Sequence, residues 1–214
     1  MSDALRAAVL AAADAVDTAR AELGRLDGAA GDGDHGMTMS IGARNVRRRF
    51  QAVPSGASPA DLLRQVALAM ADVGGAIGPL YSTALTAMAT EIESTGAAAD
   101  DVALLRGSAE AAEQAVVAIG HARPGDKTLV DALHPVVDAL RGAEAGSVDL
   151  HSAIEAAARA AEAGAAATAD MVARVGRASR LGERSRGLPD AGATSLAIIV
   201  RAMADAGRAP LGNG

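Results

Sequence analysis

The chain has 214 residues, no cysteine, no tryptophan, one tyrosine, one phenylalanine and a net charge of -6. That length suits one domain or at most two, and the acidic balance argues against a nucleic-acid partner. The lack of cysteine excludes disulfides and thiolate chemistry, and no apolar run nears the ~18 residues that a membrane helix needs.

The N-terminal stretch MSDALRAAVL has no signal-peptide architecture, so a soluble, cytoplasmic protein is expected. Leu5, Val9, Ala12, Val16, Ala19, Leu23 and Leu26 recur at 4,3,4,3,4,3 spacing, which predicts one long amphipathic helix. Weaker helical stripes cover 37–51, 60–73 and 80–93, separated by Pro54-Ser55-Gly56 and Gly74-Gly75. After Ser94-Thr95-Gly96 a second clear stripe runs through Val102, Leu105, Ala109, Ala112, Val116 and Ile119. Helical patterns over 127–141, 149–170 and 193–206 follow, broken by Pro124-Gly125-Asp126 and by the stretch Gly176 to Gly192. With a core of Ala, Leu, Val and Met and no alternating strand, the pattern predicts an all-α bundle of about eight helices. One domain spans 1–207, and 208–214 is expected to be a flexible tail.

The densest chemistry lies in Leu26-Asp27-Gly28-Ala29-Ala30-Gly31-Asp32-Gly33-Asp34-His35-Gly36, with three aspartates and a histidine within nine residues. Gly31 to Gly36 matches the dinucleotide pattern G-x-G-x-x-G, but a helix precedes it and aspartates would face the pyrophosphate, so that reading fails. An EF-hand starting at Asp32 would need oxygen ligands where Gly36 and Ala43 stand. Two readings remain. Asp27, Asp32 and Asp34 are hard-oxygen ligands for magnesium, or they are turn and cap aspartates on a solvated loop. Against a nucleoside diphosphate of about three negative charges, two divalent cations would balance the site. His35 either donates to a phosphate or caps the next helix.

Two glycine-rich junctions, Val73 to Pro79 and Gly187 to Ser195, precede helices and read either as tight turns or as phosphate-facing helix N-termini. Gly125-Asp126-Lys127-Thr128 lacks the full phosphate-loop frame and reads as a turn with Thr128 capping a helix. His121, His134 and His151 read as surface or helix-end residues. Five arginines between Arg174 and Gly187 predict an ordered loop that closes over an anion or docks a partner.

Four motifs, LDGAAGDGDHGMTM, VGGAIGPLYSTAL, PGDKTLVDAL and GRASRLGERSRGLPDAGATS, resemble in order and spacing the nucleotide-binding domain of dihydroxyacetone kinases, over residues 5 to 206. In many bacteria that domain is a free-standing L subunit. Fatty-acid kinases share the fold but lack the histidine that stands here as His35. The resemblance implies a closed barrel of eight antiparallel helices, with ADP or ATP held at one end through two magnesium ions. It implies Asp27, Asp32 and Asp34 as metal ligands, and His35, Gly36, Met37 and Thr38 as the phosphate-side turn. Ala76 and Ile77 fall on the second phosphate loop, and Gly120, Thr128 and Leu129 on the adenine and ribose pocket. Arg177, Pro189, Asp190 and Ala191 fall on the segment covering the nucleotide.

Three positions depart from the family pattern: Ile77 replaces a usual serine, Ser82 a usual glycine and Ala191 a usual proline. The implied function is a kinase subunit that passes phosphate to dihydroxyacetone, or a related short ketose, bound on a separate K subunit. A phosphocarrier M subunit joins in the phosphotransferase-system version, whereas ATP exchanges each cycle in the other. A homodimer is a further partner expectation. Ile77 motivates an alternative, a nucleotide-dependent regulatory module that binds a transcription regulator, and a helical scaffold with a vestigial site is the third reading.

Overall fold

The computed structural model describes residues 2–96 and 100–208, which form nine α-helices and two 3-10 segments with no strand among the described residues. The helices are α1 (Ser2–Thr18), α2 (Arg20–Ala30), α3 (His35–Phe50), α4 (Pro59–Ala71), α5 (Ile77–Thr95), α6 (Asp101–Gly120), α7 (Val130–Ala145), α8 (Leu150–Ala167) and α9 (Ala191–Arg208). The expected tail lies outside the described residues, apart from Arg208, which ends α9.

The single first helix expected from the sequence is a bent rod. Ala19 leaves helical geometry at φ -82 and ψ 1. The ladder still crosses the bend, because the Ala19 amide donates to the Ala15 carbonyl at 3.0 Å and the Leu23 amide to the Ala19 carbonyl at 2.9 Å. The bend sits where α3 crowds the rod: a Cβ on Gly36 would stand 2.0 Å from the Arg20 carbonyl oxygen.

Eight helices close a ring. Each of α1, α3, α4, α5, α6, α7, α8 and α9 packs on the next, and α9 packs back on α1, with α2 bridging α3 and α9. Neighbours run antiparallel. Arg6 near the start of α1 donates to the Phe50 carbonyl at the end of α3, and Arg106 early in α6 pairs with Glu144 late in α7. Alternation around a ring of even number places the N-termini of α3, α5, α7 and α9 at one end. Those of α1, α4, α6 and α8 lie at the other.

The wall is thin because its seams are built from small residues. Ala132, Ala153, Ala161 and Ala193 are fully buried between α7, α8 and α9. Gly164 of α8 faces α7 so closely that a Cβ would meet the Asp131 carbonyl oxygen at 2.3 Å. Among the described residues no helix is long and apolar enough to cross a membrane. Gly164→Ala is expected to lower stability by about 2–3 kcal/mol through overpacking, read by urea denaturation. A loss below about 0.5 kcal/mol would show that the α7–α8 seam yields freely.

Candidate nucleotide site

The two ends of the ring are finished differently. At the far end, Ser58, Asp100 and Asp149 cap α4, α6 and α8 with side-chain hydrogen bonds. At the other end, α3 and α5 have no side-chain bond from their N-cap residues, whereas Thr128 and Asp190 close the starts of α7 and α9. First-turn amides without intrahelical acceptors carry partial positive charge, so the uncapped termini offer donors to an anion. These termini surround one cavity of about 570 Å³, lined by His35, Ile77, Val130 and Ala191 among others.

The acidic segment sits at the rim. Asp27 stands in the last turn of α2, and a Cβ on Gly31 would stand 2.6 Å from its Oδ1, so a side chain there would displace that carboxylate. Gly33, at φ +77, turns the chain back through a conformation that favours glycine. One carboxylate oxygen from each of Asp27, Asp32 and Asp34 then lies within 4.8 Å of the others. Asp34 occupies the N-cap position of α3 yet makes no cap bond, while Asp27 Oδ2 accepts from the His35 amide at 3.1 Å. The cap reading therefore fails for Asp34, whose carboxylate joins the cluster. A hard divalent cation fits this all-oxygen donor set. In the structure the Arg177 guanidinium lies against Asp32, with its other nitrogen 4.0 Å from Asp34.

Most of the other residues singled out from the sequence converge on the cavity. Thr38, Ala76, Ile77, Gly120, Thr128, Leu129, Arg177, Pro189, Asp190 and Ala191 all line it. Gly36 and Met37 do not: Gly36 faces α2, and the Met37 side chain is 45% exposed. Ile77 turns its side chain into the core, packing against two apolar clusters, so the α5 N-terminus keeps its amides while losing a hydroxyl. The turn before α7 is tied by Asp131, whose carboxylate accepts from the Gly125 and Thr128 amides, and Thr128 Oγ1 accepts from the Val130 amide. His121, at φ 52, closes α6, His134 pairs with Glu113, and His151 is exposed in α8.

His35 lines the cavity but its ring bonds inward. Its Nε2 lies 3.0 Å from Ser195 Oγ in α9, and burial lowers its pKa, opposed by the nearby Asp27 charge. It joins the starts of α3 and α9. Asp190 caps α9 by accepting from the Ala193 amide at 2.8 Å, and burial raises its pKa to about 6.

Lys127 was legible only as part of an incomplete phosphate loop, yet it is buried at 4% exposure and lines the cavity. A usable signal was present, because it is the only lysine in the chain. Ser195 and Thr168, both fully buried, carried no sequence signal.

Residues 29–205 match the DAK2 domain family. The chain belongs to that family. Asp27 lies just before the matched span, so its place in the cluster rests on geometry. The D-erythrulose kinase of Mycolicibacterium smegmatis is 41% identical over 197 residues, covering 91% of this chain and 34% of that protein. The ADP-binding subunit DhaL of the PEP-dependent dihydroxyacetone kinase of Escherichia coli is 36% identical over 181 residues, 84% of either chain. A solved structure of the dihydroxyacetone kinase of C. freundii with AMP-PNP and Mg2+ superposes with a TM-score of 0.69 at 27% identity, over 94% of this chain and 33% of that one. The chain spans about a third of the length of the first curated relatives it matches. These likenesses confirm the all-α fold and the family resemblance of the four motifs.

The raised pKa of Asp190 has a definite sign in stability. Its folded value, about 6, lies above the ordinary 3.8, so its contribution is full below pH 3.8 and is lost as pH rises through 6. His35 works in the opposite sense, because a lowered histidine pKa costs stability as pH falls below about 6.5. The stability difference between wild type and Asp190→Asn should therefore grow in favour of wild type as pH falls from about 6 to about 4. Denaturation curves at several pH values measure it, and a pH-independent difference would contradict the buried carboxyl.

Proposed function

We propose that the chain binds ADP or ATP with two magnesium ions and presents a phosphoryl group to a short ketose held on a separate sugar-binding unit. The supporting observation is the pairing of uncapped α3 and α5 N-termini with a three-carboxylate cluster at the mouth of one cavity. Helix amides attract the phosphates, and the carboxylates would repel them unless cations stood between. Asp27, Asp32 and Asp34 fit as the residues that hold magnesium. Bound there, the metal would neutralise charge on the phosphates and stabilise the transferring group.

The remaining work falls to the chain itself. The α5 terminus with Gly74, Gly75 and Ala76 orients the phosphate chain, and a bare glycine backbone allows close approach. The α3 terminus, with the amides of Gly36 and Met37, serves the same end through main chain alone. Arg177 has a guanidinium fork suited to a phosphate oxygen once a cation relieves it of Asp32. Ile119, Gly120, Thr128 and Leu129 form an apolar slot for the base, and Pro189 with Ala191 excludes water. No residue needs to become covalently bound, because in-line transfer requires positioning and charge neutralisation.

The relatives support a ketose acceptor of three or four carbons, since they include erythrulose kinases as well as a dihydroxyacetone kinase subunit. The name of the Escherichia coli relative, an ADP-binding subunit, supports a division of labour in which the sugar sits elsewhere.

Mixing the chain with a sugar-binding K subunit, nucleotide, magnesium and either erythrulose or dihydroxyacetone should give sugar phosphate; no transfer to any short ketose would refute the reading. Asp32→Ala should weaken magnesium-dependent ADP binding by more than about 100-fold, seen by calorimetry, with helicity by circular dichroism unchanged. Retained affinity would remove Asp32 from the ligand set.

A further inference from the structure

Between α8 and α9 the chain leaves the ring for some twenty residues and returns, carrying Arg177 out to the acidic cluster on the way. Such an excursion is long for a helix connection and contains only two short 3-10 segments, Thr168–Asp170 and Arg177–Ser185. Its reach depends on what closes its base. Gly187 donates to the Ala169 carbonyl at 2.9 Å, and the Asp190 amide donates to Thr168 Oγ1 at 2.8 Å. Across this neck stands one buried side chain from a different part of the ring. Lys127 Nζ donates to the Thr168 carbonyl at 2.5 Å and to the Leu188 carbonyl at 2.7 Å.

We propose that Lys127 is a positioning residue of the nucleotide site, whose ammonium clamps both ends of the 168–188 excursion and so sets where Arg177 and Asp190 stand. The proposal rests on the nucleotide reading above and adds to it a residue that touches neither the acidic cluster nor the uncapped termini.

The choice of residue follows from donor geometry. Among 20 lysines and arginines, the chain uses lysine once, at this position. An ammonium is a compact point with three donors, able to converge on two carbonyls and keep a third direction towards the cavity. A guanidinium is longer and planar and spreads its donors apart. Lys127 also adopts a left-handed backbone, φ 61, unusual for a side chain of this kind. That conformation is held by Asp131, itself buried, which accepts from the amides on either side, at Gly125 and Thr128. The buried Asp131 carboxylate and Lys127, left-handed and the only lysine, thus act together on a single point, the neck. A second tie joins the same pieces, since the Arg174 amide donates to the Asp126 carbonyl at 3.1 Å.

The test compares Lys127→Met with wild type. Amide hydrogen exchange within 170–188 should quicken by about 10-fold or more, with α1 and α4 unchanged, and ADP-magnesium affinity should fall by about 10-fold. Because the chain contains no cysteine, Lys127→Cys offers a rescue. Alkylated while unfolded with 2-bromoethylamine and then refolded, it regains an ammonium at nearly lysine length. That product should recover exchange protection and ADP affinity to within about 3-fold of wild type, whereas alkylation with iodoacetamide should recover neither. Unchanged exchange in 170–188 for Lys127→Met, or equal recovery with the uncharged reagent, overturns the proposal. Lys127→Arg, which keeps the charge without the compact ammonium, carries the exchange comparison if the methionine variant does not fold. If wild type itself shows no magnesium-dependent ADP binding, the nucleotide reading fails, while the exchange comparison still decides whether Lys127 holds the neck.

Discussion

A closed ring of eight antiparallel helices cannot distribute its helix dipoles evenly. Every second helix starts at the same end, so α3, α5, α7 and α9 all begin around one cavity. Four partial positive charges gathered there make that end a place for anions. The chain reinforces the asymmetry by capping the opposite end with Ser58, Asp100 and Asp149 and leaving α3 and α5 uncapped at the cavity. Ring closure thus precedes every chemical property of the site.

Closure in turn depends on small residues at the seams. Helix axes approach closely only where side chains do not hold them apart, and Gly36, Gly78 and Gly164 stand where a Cβ would meet neighbouring backbone oxygens at 2.0, 2.2 and 2.3 Å. Gly36 shows how one residue can be read two ways. Its place in the acidic motif pointed to the phosphates, yet its missing side chain serves the contact between α3 and α2.

Charge is managed with the same economy. The acidic cluster would be self-repelling, and Arg177 lies against Asp32 in the structure. The neck beneath Arg177 is held by Lys127 on two carbonyls, and Asp190, at the same base, is pushed by burial to a pKa of about 6. Arg177 therefore approaches the mouth from the excursion between α8 and α9, with Lys127 reaching its base from the α6–α7 connection, and the carboxylates come from the α2–α3 turn. The cavity lies between them.

The helical class, the approximate extent of most helices and the turn that carries Asp27, Asp32 and Asp34 are readable from the chain alone. These are local properties: a 3.6-residue period, glycine breakers, and carboxylates separated by glycines are all visible within a few turns of chain. The bend at Ala19 escaped because no breaker marks it; it lies where α3 comes close at Gly36, beyond the local pattern of the first stripe. Asp34 could be read as a cap or as a ligand until the fold showed its carboxylate outside any cap bond. His35 could be read as a phosphate donor or as a helix cap, and the tertiary structure turns its ring towards Ser195, 160 residues away. Lys127 was hidden for the same reason, since both its carbonyl partners lie beyond residue 167. Local pattern decides what a segment becomes. Which side chain faces which ligand is decided by contacts across the closed ring, whose partners no window of sequence contains.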